Sequence, residues 1–253
     1  MLAHQLFPLL SRPSSSSLQP GRIIWTSSLE ALRDVFDPSD LQGLRSLNPY
    51  DAAKRLTDVL VLTQNLPSVR PRSATYLAPD GQGSEDDDDD ELDLQPPRMY
   101  LTHPGIVASS LFPVPWFLFW AYHLALLIAR WIGSPWHTTD AYSGASSPVW
   151  LTLQEQSALD DMDAERVKWG SGTDRLGKSV VKKTEVEGWG WEGRVEDLTD
   201  EDGVTGVLRK RIGRKLGVPV VRKGDLIEFE ELGAECWEQM EDLREEWNEI
   251  LDL

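Results

Sequence analysis

The sequence predicts an α/β fold in which a buried parallel sheet carries helices, and three stretches predict it. Residues 21–26 form a short β-branched and aromatic run ending at Ser27 and Ser28, the pattern of a strand buried on both faces. Residues 51–64 place Ala52, Leu56, Val59, Leu60 and Thr63 on one helical face, with Pro49 suited to the first turn and Pro67 ending the run. Residues 98–102 resume as a second strand.

The elements follow in order. Residues 1–10 read as the last turns of a helix that precedes the Ser-bearing strand, so the chain is expected to begin within a domain. They have no basic leader and too short an apolar stretch for a signal peptide. Residues 29–48 are punctuated by Asp37-Pro38, Gly43 and Asn48-Pro49 and read as a loop with one short helix. Residues 68–97 lack apolar periodicity and hold an unbroken acidic run. They are expected to be a surface insertion, mostly disordered; weak calcium binding is the less favoured reading, because alternating ligands and a turn glycine are missing.

The stretch 111–129 contains no Lys, Arg, Asp or Glu and approaches the roughly 20 apolar residues of a spanning helix. Pro113, Pro115 and His123 weaken that reading, and a single crossing would separate flanks that belong to one domain. An apolar lid over 111–136 is preferred, with Trp116, Phe117, Phe119, Trp120, Tyr122 and Trp131 in a lipid interface; burial within protein is the alternative. Residues 140–153 read as a helix with small residues that allow close packing. Residues 168–193 combine Trp169, Trp189 and Trp191 and read as a packed tryptophan cluster closing a cleft. Residues 234–253 form an amphipathic helix whose stripe, from Trp237 to Leu251, needs a partner in its own domain or another chain.

Composition narrows the classes. The net charge of -17 and the acidic runs disfavour nucleic acid, which needs clustered Lys and Arg. Residues 209–215 are a basic exception, read as a solvated helix face ahead of contact with anionic lipid. One cysteine, Cys236, excludes an intrachain disulfide and fits a reducing compartment. The scattered histidines offer no metal-ligand spacing, and no metal is expected. Gly188, Gly190 and Gly193 match Gly-x-Gly-x-x-Gly, yet two intervening Trp and a following acidic tract make this no dinucleotide fingerprint.

The chemistry lies in Tyr50 and Lys54, one helical turn apart on one face. An ammonium there stabilises phenolate, which suits a Tyr that gives up a proton near neutral pH. The spacing alone arises by chance in many helices. Strand, Ser-Ser, then helix-borne Tyr and Lys is far more specific, and these are the groups that ketone reduction or alcohol oxidation requires.

In these blocks, in His103-Pro104-Gly105 with the aromatic run after it, and in residues 168–193, the chain resembles the short-chain dehydrogenase/reductase superfamily, nearest its fungal 3-keto sterol reductases. The resemblance covers residues 1 to about 195. It implies the C-terminal portion of a Rossmann-like doubly wound parallel sheet, with the family's glycine-rich turn and Asn-Ala-Gly segment absent. It divides the chain into 1–67, bearing the Ser strand and Tyr/Lys helix, the acidic insertion 68–97, the remainder 98–195, and the acidic extension 196–253.

The resemblance further implies an NADPH-dependent reduction of a sterol C-3 ketone to the 3β-alcohol during C-4 demethylation in ergosterol synthesis. Tyr50 is the proton donor, Lys54 its partner and a ligand of the nicotinamide ribose, and Ser28, or else Ser27, holds the carbonyl oxygen. Val107 would offer main-chain groups to the carboxamide, and Ser109 would stand near the pyrophosphate. Implied partners are the sterol, the cytosolic face of the endoplasmic reticulum membrane or a lipid droplet, and other sterol-synthesis enzymes. Without the cofactor half, the chain alone is expected to be inactive. A non-catalytic membrane-peripheral remnant that binds the demethylating assembly is the competing reading.

Overall fold

The computed structural model describes residues 2–77, 94–108, 115–195 and 220–251. Helix α1 (Leu2–Leu10) ends where the Ser11 N–H and hydroxyl both donate to the Phe7 carbonyl. The chain doubles back through Gly21, whose N–H donates to the Leu10 carbonyl; a Cβ there would lie 2.7 Å from the Leu10 side chain. Strand β1 (Arg12–Pro13) pairs antiparallel with β3 (Leu94–Gln95). The main sheet has the order β2 (Arg22–Thr26), β4 (Arg98–His103), β5 (Lys168–Thr173), β6 (Ser179–Thr184). The first three strands run parallel, with Thr26 beside Thr102 and His103 beside Gly170, and β6 returns antiparallel.

Alternation along β4 divides the core. Met99 and Leu101 face one cluster with Val59, Leu62, Trp189, Phe229 and Trp237, while Tyr100 faces another with Leu151, Leu159 and Trp169. Helix α2 (Pro49–Thr63) covers the first face, backed by α3 (Arg70–Leu77) and α8 (Lys223–Leu251). Helix α6 (Ser146–Leu153), which follows the single turn α5 (Ala141–Gly144), covers the second, with α7 (Gln156–Asp161) beside it. Helices therefore lie on both faces of a sheet with a parallel core, as the α/β prediction requires.

Several elements differ from the sequence reading. The segment expected as a mostly disordered insertion includes α3, held by buried Val69 and Tyr76, with the Tyr76 ring edge-on to Trp237 at 5.4 Å. Its acidic run lies in residues 78–93, outside the described residues, as do the basic stretch 209–215 and Ser109. The helix read over 140–153 is broken at Ala145 into α5 and α6. The tryptophan segment is a β-hairpin. Trp189 fills the turn after it, where Gly188, Gly190 and Gly193 have φ of 79°, 75° and 65° and a Cβ on Gly193 would sit 2.3 Å from the indole. Gly193 makes room for the Trp189 indole, and no described helix opens behind the three glycines.

Helix α8 starts earlier than the 234–253 reading, because Phe229 on its first turns packs against Trp189 at 5.1 Å. Its own domain supplies the partner for the proximal stripe. Gly233 allows the close crossing of α2, since a Cβ there would meet Thr63 Oγ1 at 2.3 Å. One turn on, the Trp237 indole N–H donates to the Leu60 carbonyl at 3.1 Å. Trp247, Ile250 and Leu251 beyond remain exposed.

Charge also sits in this interior. Lys168 Nζ on β5 contacts Asp58 Oδ2 on α2 at 2.6 Å with both side chains buried. Arg55, one turn before Asp58 and equally buried, lies 5.0 Å over the Phe229 ring. Burial pushes its guanidinium below the ordinary pKa, and Asp58 opposes that shift. Lys168→Met should cost about 3–5 kcal/mol by removing the cation in contact with Asp58, whereas Asp58→Leu with Lys168→Met should recover only part of it, because buried Arg55 then loses the same carboxylate. Urea midpoints decide, and equal losses in single and double variants would refute the pairing. Cys236 is fully buried on α8, and burial pushes its thiol up to about 12. Its labelling by a disulfide reagent should therefore follow opening of the α2–α8 contact, slowing in step with added stability; fast labelling independent of denaturant would contradict the packing.

Candidate active site

The carboxyl ends of β2 and β4 lie side by side, and the segments that leave them carry the expected residues. Ser27 extends the ladder one residue past β2, its N–H donating to the Thr102 carbonyl at 2.7 Å. Its side chain is buried and its hydroxyl donates to the Lys54 carbonyl at 3.2 Å, tying strand end to helix. Ser28 is less buried, and its Oγ accepts the Glu30 N–H at 3.2 Å. The two hydroxyls thus have different surroundings: one fastens α2, the other closes a turn at the surface.

Tyr50 lies in the first turn of α2, 62% exposed. Lys54 follows one turn later, its Nζ donating to the Thr26 carbonyl at 2.8 Å and standing 5.5 Å from the centre of the Tyr50 ring. Strand end, Ser27, Lys54 and Tyr50 therefore form one connected group, with the phenol open to a substrate and the ammonium over its ring. Of the sequence-based choices, Tyr50, Lys54 and Ser27 are brought together; Ser28 follows on the chain with its Oγ turned to the Glu30 N–H, and Val107 lies in the segment past the end of neighbouring β4.

The turn after β4 is tightly specified. Gly105 has φ of 73°, and a Cβ there would come within 2.6 Å of the Trp136 carbonyl and 2.8 Å of the Ser171 carbonyl. The Ile106 N–H donates to the Trp136 carbonyl at 2.7 Å, and Thr138 Oγ1 lies 3.2 Å from the Pro104 carbonyl. Val107 forms a parallel bridge with Thr139, made by Thr139 N–H to Ile106 O and Ala108 N–H to Thr139 O. In a parallel pair those bonds flank the central residue, so Val107 directs its own N–H and C=O to the other side. His103, Thr138 and Thr139 are site-side residues that spacing does not single out. His-Pro-Gly signals a turn in the sequence but not what packs beneath it.

Helix α4 (Trp116–Ile132) takes up the apolar stretch from Trp116 on, residues 111–114 lying outside the described residues, and ends at Gly133, with φ of 116°. Phe117, Leu118, Trp120, Leu124, Ile128, Trp131 and Ile132 are exposed, while Leu126 is buried. Among the described residues no helix is long and apolar enough to cross a membrane. Arg130, near its end, reaches Thr139 Oγ1 at 3.4 Å.

A nicotinamide ribose and carboxamide fit this donor set. A Lys ammonium has three N–H donors, of which one is spent on Thr26, and Val107 presents main-chain groups on the adjoining strand end.

Across its full length the chain is 58% identical over 257 residues to the 3-keto-steroid reductase of Gibberella zeae and 45% identical over 259 residues to that of Aspergillus fumigatus. It covers 52% and 56% of those proteins, so it spans about half the length of the curated relatives it matches. The Kluyveromyces lactis 3-keto-steroid reductase is 33% identical over 193 residues, 76% of this chain and 46% of the relative. No protein-family model and no solved structure matches. With Tyr50, Lys54 and Ser27 gathered at one sheet edge, the chain is homologous over its full length to the fungal 3-keto-steroid reductases, and the short-chain reductase pattern fits that family.

Proposed function

We propose that this chain carries the proton-donating part of an NADPH-dependent 3-keto sterol reductase, which converts the C-3 ketone to the 3β-alcohol during C-4 demethylation in ergosterol synthesis. The contact of Lys54 with both the Thr26 carbonyl and the Tyr50 ring, at the carboxyl edge of parallel strands, carries the reading. Open α/β sheets bind ligands at that edge. When bound, NADPH supplies the hydride that reaches the ketone carbon. Tyr50 donates its phenolic proton to the carbonyl oxygen, and the nearby Lys54 ammonium stabilises the phenolate left behind. Ser28 holds the same oxygen: its Oγ accepts from Glu30, which leaves its own proton to donate. Ser27 is buried on the Lys54 carbonyl and orients the helix. Lys54 turns its remaining donors to the ribose hydroxyls, and Val107 its main chain to the carboxamide. By resemblance Ser109 approaches the pyrophosphate.

Helix α4 would rest in the lipid interface on the cytosolic face of the endoplasmic reticulum. The exposed residues named above are all apolar, four of them bulky aliphatics and three aromatic, as interfacial helices require. Ile106 and Thr139 are hydrogen-bonded neighbours, so the chain enters and leaves the α4 excursion at one place. A sterol ketone partitions into lipid, and a lid at the interface admits it without passage through water.

Tyr50→Phe should lower ketone reduction by about 10²–10⁴-fold with cofactor binding nearly intact, because only the donated proton is removed. Lys54→Ala should weaken both. Steady-state rates and NADPH titrations on the intact protein separate the two, and a Tyr50→Phe enzyme that keeps half its rate removes Tyr50 from the role. Changing Phe117, Trp120, Leu124 and Trp131 together to Ser should abolish flotation with sterol-containing vesicles; undiminished flotation would exclude α4 as the lipid contact.

A further inference from the structure

We propose that His103 is a positioning residue: in one defined tautomer it sets the Pro104–Gly105 turn and so aims the main chain of Val107 at the nicotinamide. The inference rests on the reductase reading above, but its geometry stands apart from it. His103 closes β4 and is fully buried. Its Nδ1 lies 3.1 Å from the Gly105 nitrogen, whose N–H donates to it. A ring nitrogen that accepts carries no proton, so the proton of the neutral ring belongs to Nε2, which donates to Thr184 Oγ1 on β6 at 2.7 Å.

The ring is fixed from its other sides as well. Trp136 lies 5.1 Å away, centre to centre, and the same residue's carbonyl takes the Ile106 N–H. On β5, Gly170 leaves the space that the ring occupies, since a Cβ there would be 2.4 Å from both His103 Nε2 and the Trp136 indole. Pro104 has no N–H, and the N–H of Ile106 is used outward on Trp136. The Gly105-to-His103 bond therefore joins Thr138 Oγ1, which contacts the Pro104 and Ile106 carbonyls, in holding the turn's main chain. Val107 follows two residues later, bridged to Thr139. If that bond is lost, the Gly105 N–H loses its restraint and the turn loosens on the side of Val107, while the bridge to Thr139 stays.

Two isosteres separate this role from packing. Asn places its amide oxygen where Nδ1 sits, and Gln reaches the position of Nε2. His103→Asn keeps the acceptor for Gly105 and loses Thr184, while His103→Gln does the reverse. In the intact protein, His103→Gln should speed hydrogen exchange of the Gly105 amide about tenfold, the worth of one hydrogen bond, with His103→Asn close to wild type. The NADPH KM should rise by a similar factor in His103→Gln with kcat retained, the pattern of lost cofactor binding. A packing role alone would move stability in both variants and leave KM unchanged. Should both variants unfold, wild-type ring ¹⁵N shifts still decide: a protonated Nδ1 overturns the proposal, as does equal Gly105 exchange in the two variants. The exchange measurement needs no cofactor. A wild-type protein that fails to bind NADPH would sink the reductase reading, whereas unchanged Gly105 exchange in His103→Gln would sink the His103 assignment by itself.

Discussion

The buried contact between Asp58 on α2 and Lys168 on β5 is the constraint on which the site's geometry depends. Two charges taken out of water cost several kcal/mol each, and only good pairing offsets that cost. An apolar helix face slides on an apolar sheet at small penalty, but a slip of one residue here breaks the Asp58–Lys168 contact in the interior. The pair therefore fixes the register of α2 along the sheet. Tyr50 and Lys54 lie on that same helix, two turns and one turn before Asp58, so the register of a buried pair sets where an exposed phenol stands. Gly233 and Trp237 of α8 reinforce this from the back by close approach to Thr63 and a bond to the Leu60 carbonyl.

The second constraint is the alignment of strand ends. Ser27 pairs with Thr102 through the backbone, Lys54 caps the Thr26 carbonyl, and Ser27 returns a bond to the Lys54 carbonyl. These bonds satisfy main-chain groups that would otherwise be lost where the ladder stops. They also gather the side chains read as reactive with no dedicated scaffold. The carboxyl end of β4 then delivers the His103–Val107 turn to the adjacent position.

Much of this was legible in the sequence, for identifiable reasons. Strand β2 announces itself by its β-branched and aromatic run, although at the outer position of the described sheet it is half-buried where burial on both faces was expected, and α2 by its periodic apolar face. Tyr50 and Lys54 are legible because helical geometry turns spacing into proximity. The β5–β6 hairpin was hidden: Gly170 and Gly172 break any strand signal, yet both are needed for close approach, one by the His103 ring and the other by the Pro135 carbonyl, 2.9 Å from where its Cβ would be. Helix α3 has no periodicity of its own and is held by α8, a contact that local pattern does not encode. The different roles of Ser27 and Ser28 follow from which hydroxyl the fold buries, and the place of His103 from the neighbours that enclose it; neither lies in spacing.

The turn and the apolar helix meet at Thr139. This residue has φ of 69°, a conformation that costs a β-branched residue about 1–3 kcal/mol and persists only where surrounding contacts impose it. Those contacts are present: the bridge to Val107, the bond from Thr139 Oγ1 to the Thr138 carbonyl, and Arg130 reaching in from the last turn of α4. The strained residue is thus clamped between the segment read as facing the nicotinamide and the helix read as facing lipid. Gly133 reverses the chain immediately after α4, which keeps the connection from helix to clamp only a few residues long. Arg130, Thr139, Ile106 and Val107 are thus joined in one run of hydrogen bonds from the last turn of α4 to the turn after β4. Because the sheet side of the same turn is closed by fully buried His103, the turn has a rigid floor and a strained rim, and the rim is the side joined to the exposed apolar helix.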